Sequence, residues 1–112
     1  MTLEDTAAAL DPRLPAAAST PFLVHFGEAA CFGLVADRYA DGTLNVGARV
    51  EIDHLEPSPV GAVLRAEAEL ISDDGRQQQF EVQITEAGRV VARMSHRRAC
   101  APEELIRSRL ER

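Results

Sequence analysis

No lysine occurs in this 112-residue chain; all twelve basic residues are arginine. Its cations are therefore planar forks of donors, suited to carboxylates and phosphates. Long apolar runs are also missing. None reaches the ~18 residues needed to cross a bilayer. The opening stretch, Met1 to Ala7, is acidic and lacks a basic segment, so a secretory signal is not expected. Only two cysteines are present, Cys31 and Cys100, and they form no metal or redox motif. Free thiols and a cytoplasmic location are the expectation. The three histidines, His25, His54 and His96, lack zinc spacing. No phosphate-binding loop, dinucleotide fingerprint or serine elbow appears, so no metal and no resident cofactor is expected. A net charge of −6 argues against general binding to nucleic acid.

What is there reads as one globular domain, 46% hydrophobic and 27% charged. Residues 1–18 form an arm, with a short helix expected from Thr2 to Leu10 and ended by Asp11-Pro12 and Leu14-Pro15. The domain proper is 19–112. Its main helix is expected over about 21–40, with Thr20 as N-cap, Pro21 in the first turn and Asp41-Gly42 as the stop. Apolar residues cover most of this helix, which predicts burial on nearly all sides and a sheet wrapped around it.

Four strands follow, at 44–55, 62–72, 77–86 and 89–99. In the first, Leu44, Val46, Ala48, Val50 and Ile52 share one parity, which predicts that they face inward with His54 at the strand end. In the last, Val90, Ala92, Met94, His96 and Arg98 share the inward parity. Asp73-Asp74-Gly75 and Glu86-Ala87-Gly88 mark hairpins. A short helix starts at Pro102, with Glu103 and Glu104 first and arginines last, in the order that suits the helix dipole.

Glu28 is the residue most in need of explanation. It sits in the apolar run from Pro21 to Val35. Burying an unpaired carboxylate costs several kcal/mol, roughly, so a use is expected. His54 is its candidate partner for proton exchange, and His25, three residues earlier, can meet it on one helix face. Thr20 can act as a cap or hold a carbonyl oxygen beside free N–H groups. Gly47 within a strand marks a bulge or a close approach. Arg98, if buried, needs an anion, either a structural partner or a ligand. Seven arginines between Arg89 and Arg112 can be a solvated, salt-bridged surface or a site for a phosphate-bearing ligand.

The run Ser19-Thr20-Pro21 to Glu28-Ala29-Ala30-Cys31, then Gly47, Val50 to Gly61 with His54, Asp74-Gly75-Arg76 and Ser95 to Ala99 carries a family resemblance. Together these segments resemble the hotdog-fold thioesterases, in the branch typified by fluoroacetyl-CoA thioesterase, over about residues 19–112. The resemblance implies an α+β hotdog fold, with a long central helix wrapped by an antiparallel sheet. It implies a homodimer with two interface sites, with pairing of dimers into a tetramer left open. It also implies a catalytic Thr20, Glu28 and His54, with Gly47 and Arg98 at the substrate. Family members usually carry a strand before the helix; here an arm stands in its place, so the first strand is expected to be missing or shortened. The phenylalanine-lined lid of the fluoroacetyl-specific enzyme has no counterpart in Asp11 to Ala16.

The reading that follows is hydrolysis of an acyl-CoA or acyl-carrier-protein thioester, CoA or phosphopantetheine entering only as part of the substrate. Two others stay open: a hotdog lyase or hydratase acting on an enoyl thioester, and a non-catalytic acyl-ligand binding protein.

Overall fold

The computed structural model describes residues 1–111. Its elements are α1 (Thr20–Val35), β1 (Thr43–His54), β2 (Leu64–Asp73), β3 (Gln77–Glu86), β4 (Arg89–Pro102) and α2 (Glu103–Leu110). The four strands form one antiparallel sheet in the order β1-β4-β3-β2. This is the expected α+β architecture, with one long helix laid on one face of the sheet and no strand before it among the described residues.

The hairpins form where turn residues permit them. At the β2–β3 turn, Asp74 Oδ1 accepts from the N–H groups of Arg76 and Gln77, and Gly75 takes φ 88°. At the β3–β4 turn, Ala87 and Gly88 both have positive φ, the backbone a two-residue hairpin loop requires.

The core lies between α1 and the two central strands. Leu23, Gly27, Cys31 and Val35 form the buried stripe of α1. Opposite them are Phe80, Val82 and Ile84 of β3 and Ala92 and Met94 of β4. Gly27 sets the closeness of the packing, because a Cβ there would come within 2.6 Å of Met94 Cε. Burial is confined to that stripe. Phe32 is 44% and Leu34 46% exposed, so the helix is not enclosed on all sides as its composition predicts. One four-stranded sheet curves around one flank of a helix and leaves the other open.

Three other expectations are corrected. First, α1 ends at Val35 and not near residue 40; Ala36 to Tyr39 leave the helix before Asp41-Gly42. Second, the arm holds no α-helix over Thr2–Leu10. It makes two 3-10 turns, Leu3–Asp5 and Ala7–Ala9, broken at Thr6, which is extended and bridges to Ala18. Thr6 is 2% exposed, and Ala17 in turn bridges to Pro59. The arm is thereby stitched back across the start of α1.

Third, β1 carries a bulge between Gly47 and Arg49, with Ala48 as the extra residue. A bulge inverts which residues face the helix. Asn45 and Gly47 therefore face inward, while Val46, expected inside, is 38% exposed on the outer side. Past the bulge Val50, Ile52 and His54 face the helix as expected. A second irregularity, opposite Ile84–Thr85, leaves Val91 as an extra residue in β4, and Val91 is fully buried. Its carbonyl accepts from the N–H groups of Leu55 and Glu56 and fixes the chain just past His54.

Candidate functional site

Two groups of polar side chains sit at opposite ends of the inner face, and α1 connects them. At its start, Ser19 and not Thr20 is the N-cap: Ser19 Oγ accepts from Phe22 N–H at 3.2 Å. Ser19 O accepts from Leu23 N–H, and Pro21 has no N–H to offer. The Thr20 hydroxyl is therefore released from capping. It lies 3.0 Å from His54 Nδ1, and both residues are exposed. Beside them is a cavity of about 500 Å³ walled by Glu4, Thr6, Ala7, Ala9 and Leu10 of the arm, by Ala18 to Pro21 and by His54.

Eight residues further along α1, about 12 Å at 1.5 Å per residue, stands Glu28. Its carboxylate is not buried as the sequence suggests; the side chain is 36% exposed. It points at Gly47 of β1. A Cβ at Gly47 would lie 3.1 Å from Glu28 Oε2 and 3.3 Å from His96 Cε1. The glycine is there for close approach, and the bulge beside it turns its bare face toward the carboxylate.

Arg98 is the cation of this end. It is 7% exposed, and Nη1 lies 3.8 Å from Glu28 Oε2. The partner is thus a helix carboxylate, not an acidic residue of the sheet. Nε donates to Asn45 Oδ1 at 2.5 Å and Nη2 to the Asn45 carbonyl at 3.1 Å. The Phe32 ring covers the guanidinium face at 5.3 Å. Burial pushes the Arg98 guanidinium down from its ordinary value, and Glu28 draws it back up. Burial likewise raises the neighbouring Cys31 thiol to about 11, so it is neutral near pH 7 and no nucleophile.

The structure therefore brings together Thr20 with His54, and Glu28 with Gly47 and Arg98. Within one chain it does not bring Glu28 to His54. His25 is exposed, and no ion pair joins it to Glu28 among the described residues. Of the C-terminal arginines, Arg89 pairs with Glu56 and Glu86 and Arg107 with Glu103, all on the surface. Asn45, His96 and Phe32 are site neighbours that sequence reasoning missed. The inward parity of Arg98 was the signal available, since a buried guanidinium needs acceptors from residues flanking it on the same face.

The polar chain continues away from the site. Asn45 Nδ2 donates to Gln78 Oε1 at 2.7 Å, Gln78 Nε2 to Asp73 Oδ1 at 3.0 Å, and Tyr39 O–H to Asp73 Oδ2 at 2.9 Å. The Arg98 end of the site is thus tied through the amides of half-buried Asn45 and buried Gln78 to Asp73 at the end of β2.

Among the described residues no helix is long and apolar enough to cross a membrane. No curated protein sequence matches the chain. The solved structure of the fluoroacetyl-CoA thioesterase FlK superposes with a TM-score of 0.90 at 23% identity, covering 99% of this chain and 87% of that one. A thioesterase-superfamily protein from Thermus thermophilus gives 0.91 at 19% identity, covering 99% and 82%. A hot-dog-like protein from Thermanaerovibrio acidaminovorans gives 0.89 at 17%, covering 98% and 82%. These likenesses establish the hotdog fold. The sequence profile described as fluoroacetyl-CoA-specific thioesterase, FlK, matches residues 1–104, arm included, and the chain accordingly belongs to that family of thioester hydrolases.

Proposed function

We propose that the protein hydrolyses acyl-CoA thioesters with Thr20, Glu28 and His54 as its catalytic group, in a site completed by a second copy of the chain. The single observation that carries this is the division of the polar groups. Thr20–His54 lies at one end of α1, and Glu28–Gly47 lies about 12 Å along it. Each half lacks what the other has. In β1, Gly47 and His54 are roughly 20 Å apart by strand rise. The edge of β1 away from β4 carries no strand among the described residues. A second β1 laid antiparallel along that edge, with the two-fold axis near Val50–Glu51, sets Gly47 across from His54 of the partner subunit. The exposed flank of α1, with Phe32 and Leu34, would be covered in the same step.

In such a site Glu28 takes the proton of the attacking water, or attacks the carbonyl carbon itself. Charge develops on the thioester oxygen. At the start of α1 the donors available to it are the Thr20 hydroxyl and Thr20 N–H, since the next N–H groups are absent or engaged. His54 orients the Thr20 hydroxyl through Nδ1 and stands ready to protonate the leaving thiolate. The acyl group fits the cavity beside Thr20 and His54, whose alanine-rich wall has no phenylalanine to shorten it. A variant of the FlK enzyme was solved with fluoroacetate and CoA, which supports a CoA ester as substrate. Carrier-protein thioesters share the pantetheine arm and remain within this reading.

The test is thiol release from acyl-CoAs running from acetyl to long-chain and aromatic esters, with Glu28→Ala alongside. Release that falls by on the order of a thousandfold in a folded Glu28→Ala variant is expected. Full activity in that variant would sink the mechanism. Ligand-induced stabilisation without release from CoA or carrier-protein esters would point to a binding protein instead.

A further inference from the structure

His96 is 1% exposed and carries both ring nitrogens in hydrogen bonds. Nε2 is 3.2 Å from Arg98 Nη1, and Nδ1 is 2.8 Å from the Arg49 carbonyl oxygen. A guanidinium only donates, so Nε2 must be the bare, accepting nitrogen. The proton is then on Nδ1, which donates to Arg49 O. The two contacts admit one state of the ring: neutral, with Nδ1 protonated. The carbonyl it holds belongs to the residue just past the Ala48 bulge.

The atom that His96 receives from is the same Nη1 that faces Glu28. Nη1 stands 3.8 Å from Glu28 Oε2, beyond hydrogen-bond range. The rest of the guanidinium is clamped by Asn45 through Nε and Nη2 and by the Phe32 face. A guanidinium whose Nη1 closed on the carboxylate would occupy its lone pairs with a charge-assisted bond. Held back, it leaves both oxygens of Glu28 for the reaction.

We infer that His96 is a positioning residue for thioester hydrolysis: as a neutral acceptor it helps to hold Arg98 Nη1 off Glu28, so that the guanidinium does not hydrogen-bond the carboxylate. This rests on Glu28 being the base or nucleophile. Among the described residues, the charged or titratable groups facing Glu28 are Arg98 and His96 from β4 and Cys31 from α1. β1 presents only the bare Gly47.

Two substitutions split the ring into halves. His96→Gln places an amide oxygen near the Nε2 position and retains an acceptor for Arg98. His96→Asn places an amide N–H near Nδ1 and retains the bond to Arg49 O, but it cannot reach Arg98. The glutamine variant is expected to keep kcat within about threefold. The asparagine variant is expected to lose on the order of tenfold to a hundredfold in kcat with KM little changed. A wild-type kcat in His96→Asn would overturn the proposal, as would equal losses in both variants that track their melting temperatures. Glu28→Gln is run beside them. If it is inactive while His96→Asn is normal, only the role of His96 falls; if it is fully active, both readings fall. Ring ¹⁵N NMR of the intact protein needs no variant. It should show His96 protonated at Nδ1 and bare at Nε2, and the opposite tautomer or a doubly protonated ring would overturn the assignment.

Discussion

At the Glu28 end of α1 the side chains are held from several directions. Arg98 has three hydrogen bonds and a ring on its face, and His96 behind it is buried. At the Thr20 end the polar contact is a single bond between two exposed residues, bordered by an arm of two 3-10 turns and an open cavity. The difference follows from the sheet. Gly47, His96 and Arg98 lie where β1 and β4 run side by side, and each strand supplies partners to the other. His54 is the last residue of β1, with Ala92 beside it and the open edge on its other side. One half of the site is assembled by the chain alone; the other half is left for something to lie against.

The largest expected effect addresses that division directly. Glu28→Ala and His54→Ala are each expected to be inactive. In the proposed dimer, mixing the two variants with subunit exchange makes half the dimers mixed, and each of these would have one site with every group intact. Activity should rise from near zero to about a quarter of wild type, if each site draws Glu28 from one chain and His54 from the other. If both groups of a site came from one chain, no mixed dimer would hold an intact site and the mixture would stay inactive. Size-exclusion chromatography of each variant shows whether exchange partners were present.

A smaller effect sharpens the contrast from the well-held end. Gly47→Ala puts a methyl group 3.1 Å from Glu28 Oε2 and 3.3 Å from His96 Cε1. Gly47 borders the bulge but does not take a positive φ, so the change should leave the fold intact and displace the carboxylate. A loss of on the order of tenfold in kcat with a nearly unchanged melting temperature is expected. A large fall in melting temperature with normal kcat would mean that the close approach serves packing alone.

The strands were legible because their alternation is clean; the one at 77–86 was placed to the residue. The helix-facing half of β1 was misread because an extra residue leaves no mark in an apolar–polar pattern. Leu44 and Val46 look like core, and Asn45 looks like surface, until the Ala48 bulge inverts them. The N-cap went to Thr20 because two hydroxyls stand in sequence and only geometry shows which one has another partner. Thr20, Gly47 and Arg98 stand out as candidates through chemistry that constrains a residue by itself: a hydroxyl at a helix start, a glycine in a strand, a charge on an apolar face. The distance between Glu28 and His54 was not, because it depends on where along α1 the sheet crosses. His96 went unassigned because its significance lies in which nitrogen accepts, and that needs both neighbours.

The smallest expected effect lies outside the proposed catalytic group, at the far end of the polar chain, and tests whether the firm half of the candidate site extends that far. Tyr39 donates to Asp73 at 2.9 Å, and Asp73 in turn receives Gln78, which reaches Asn45 and Arg98. Burial, and then the bond to Asp73, push the Tyr39 phenol up to about 12. The hydrogen bonds of Gln78 and Gly75 hold the Asp73 carboxyl below its ordinary value. A phenol raised by folding stabilises the native state below its ordinary value near 10, and that contribution is lost as pH climbs through about 12. A carboxyl lowered by folding contributes above its ordinary value near 4 and is lost as pH falls. Tyr39→Phe should therefore lower the melting temperature by a few degrees between those limits, with the gap to wild type closing at both extremes. Turnover should be unchanged if Arg98 is fixed by Asn45 and His96 alone. A fall in kcat alongside the loss of stability would mean that the turn beyond β2 helps to hold the guanidinium, and the firm half of the site would then reach across the whole width of the sheet.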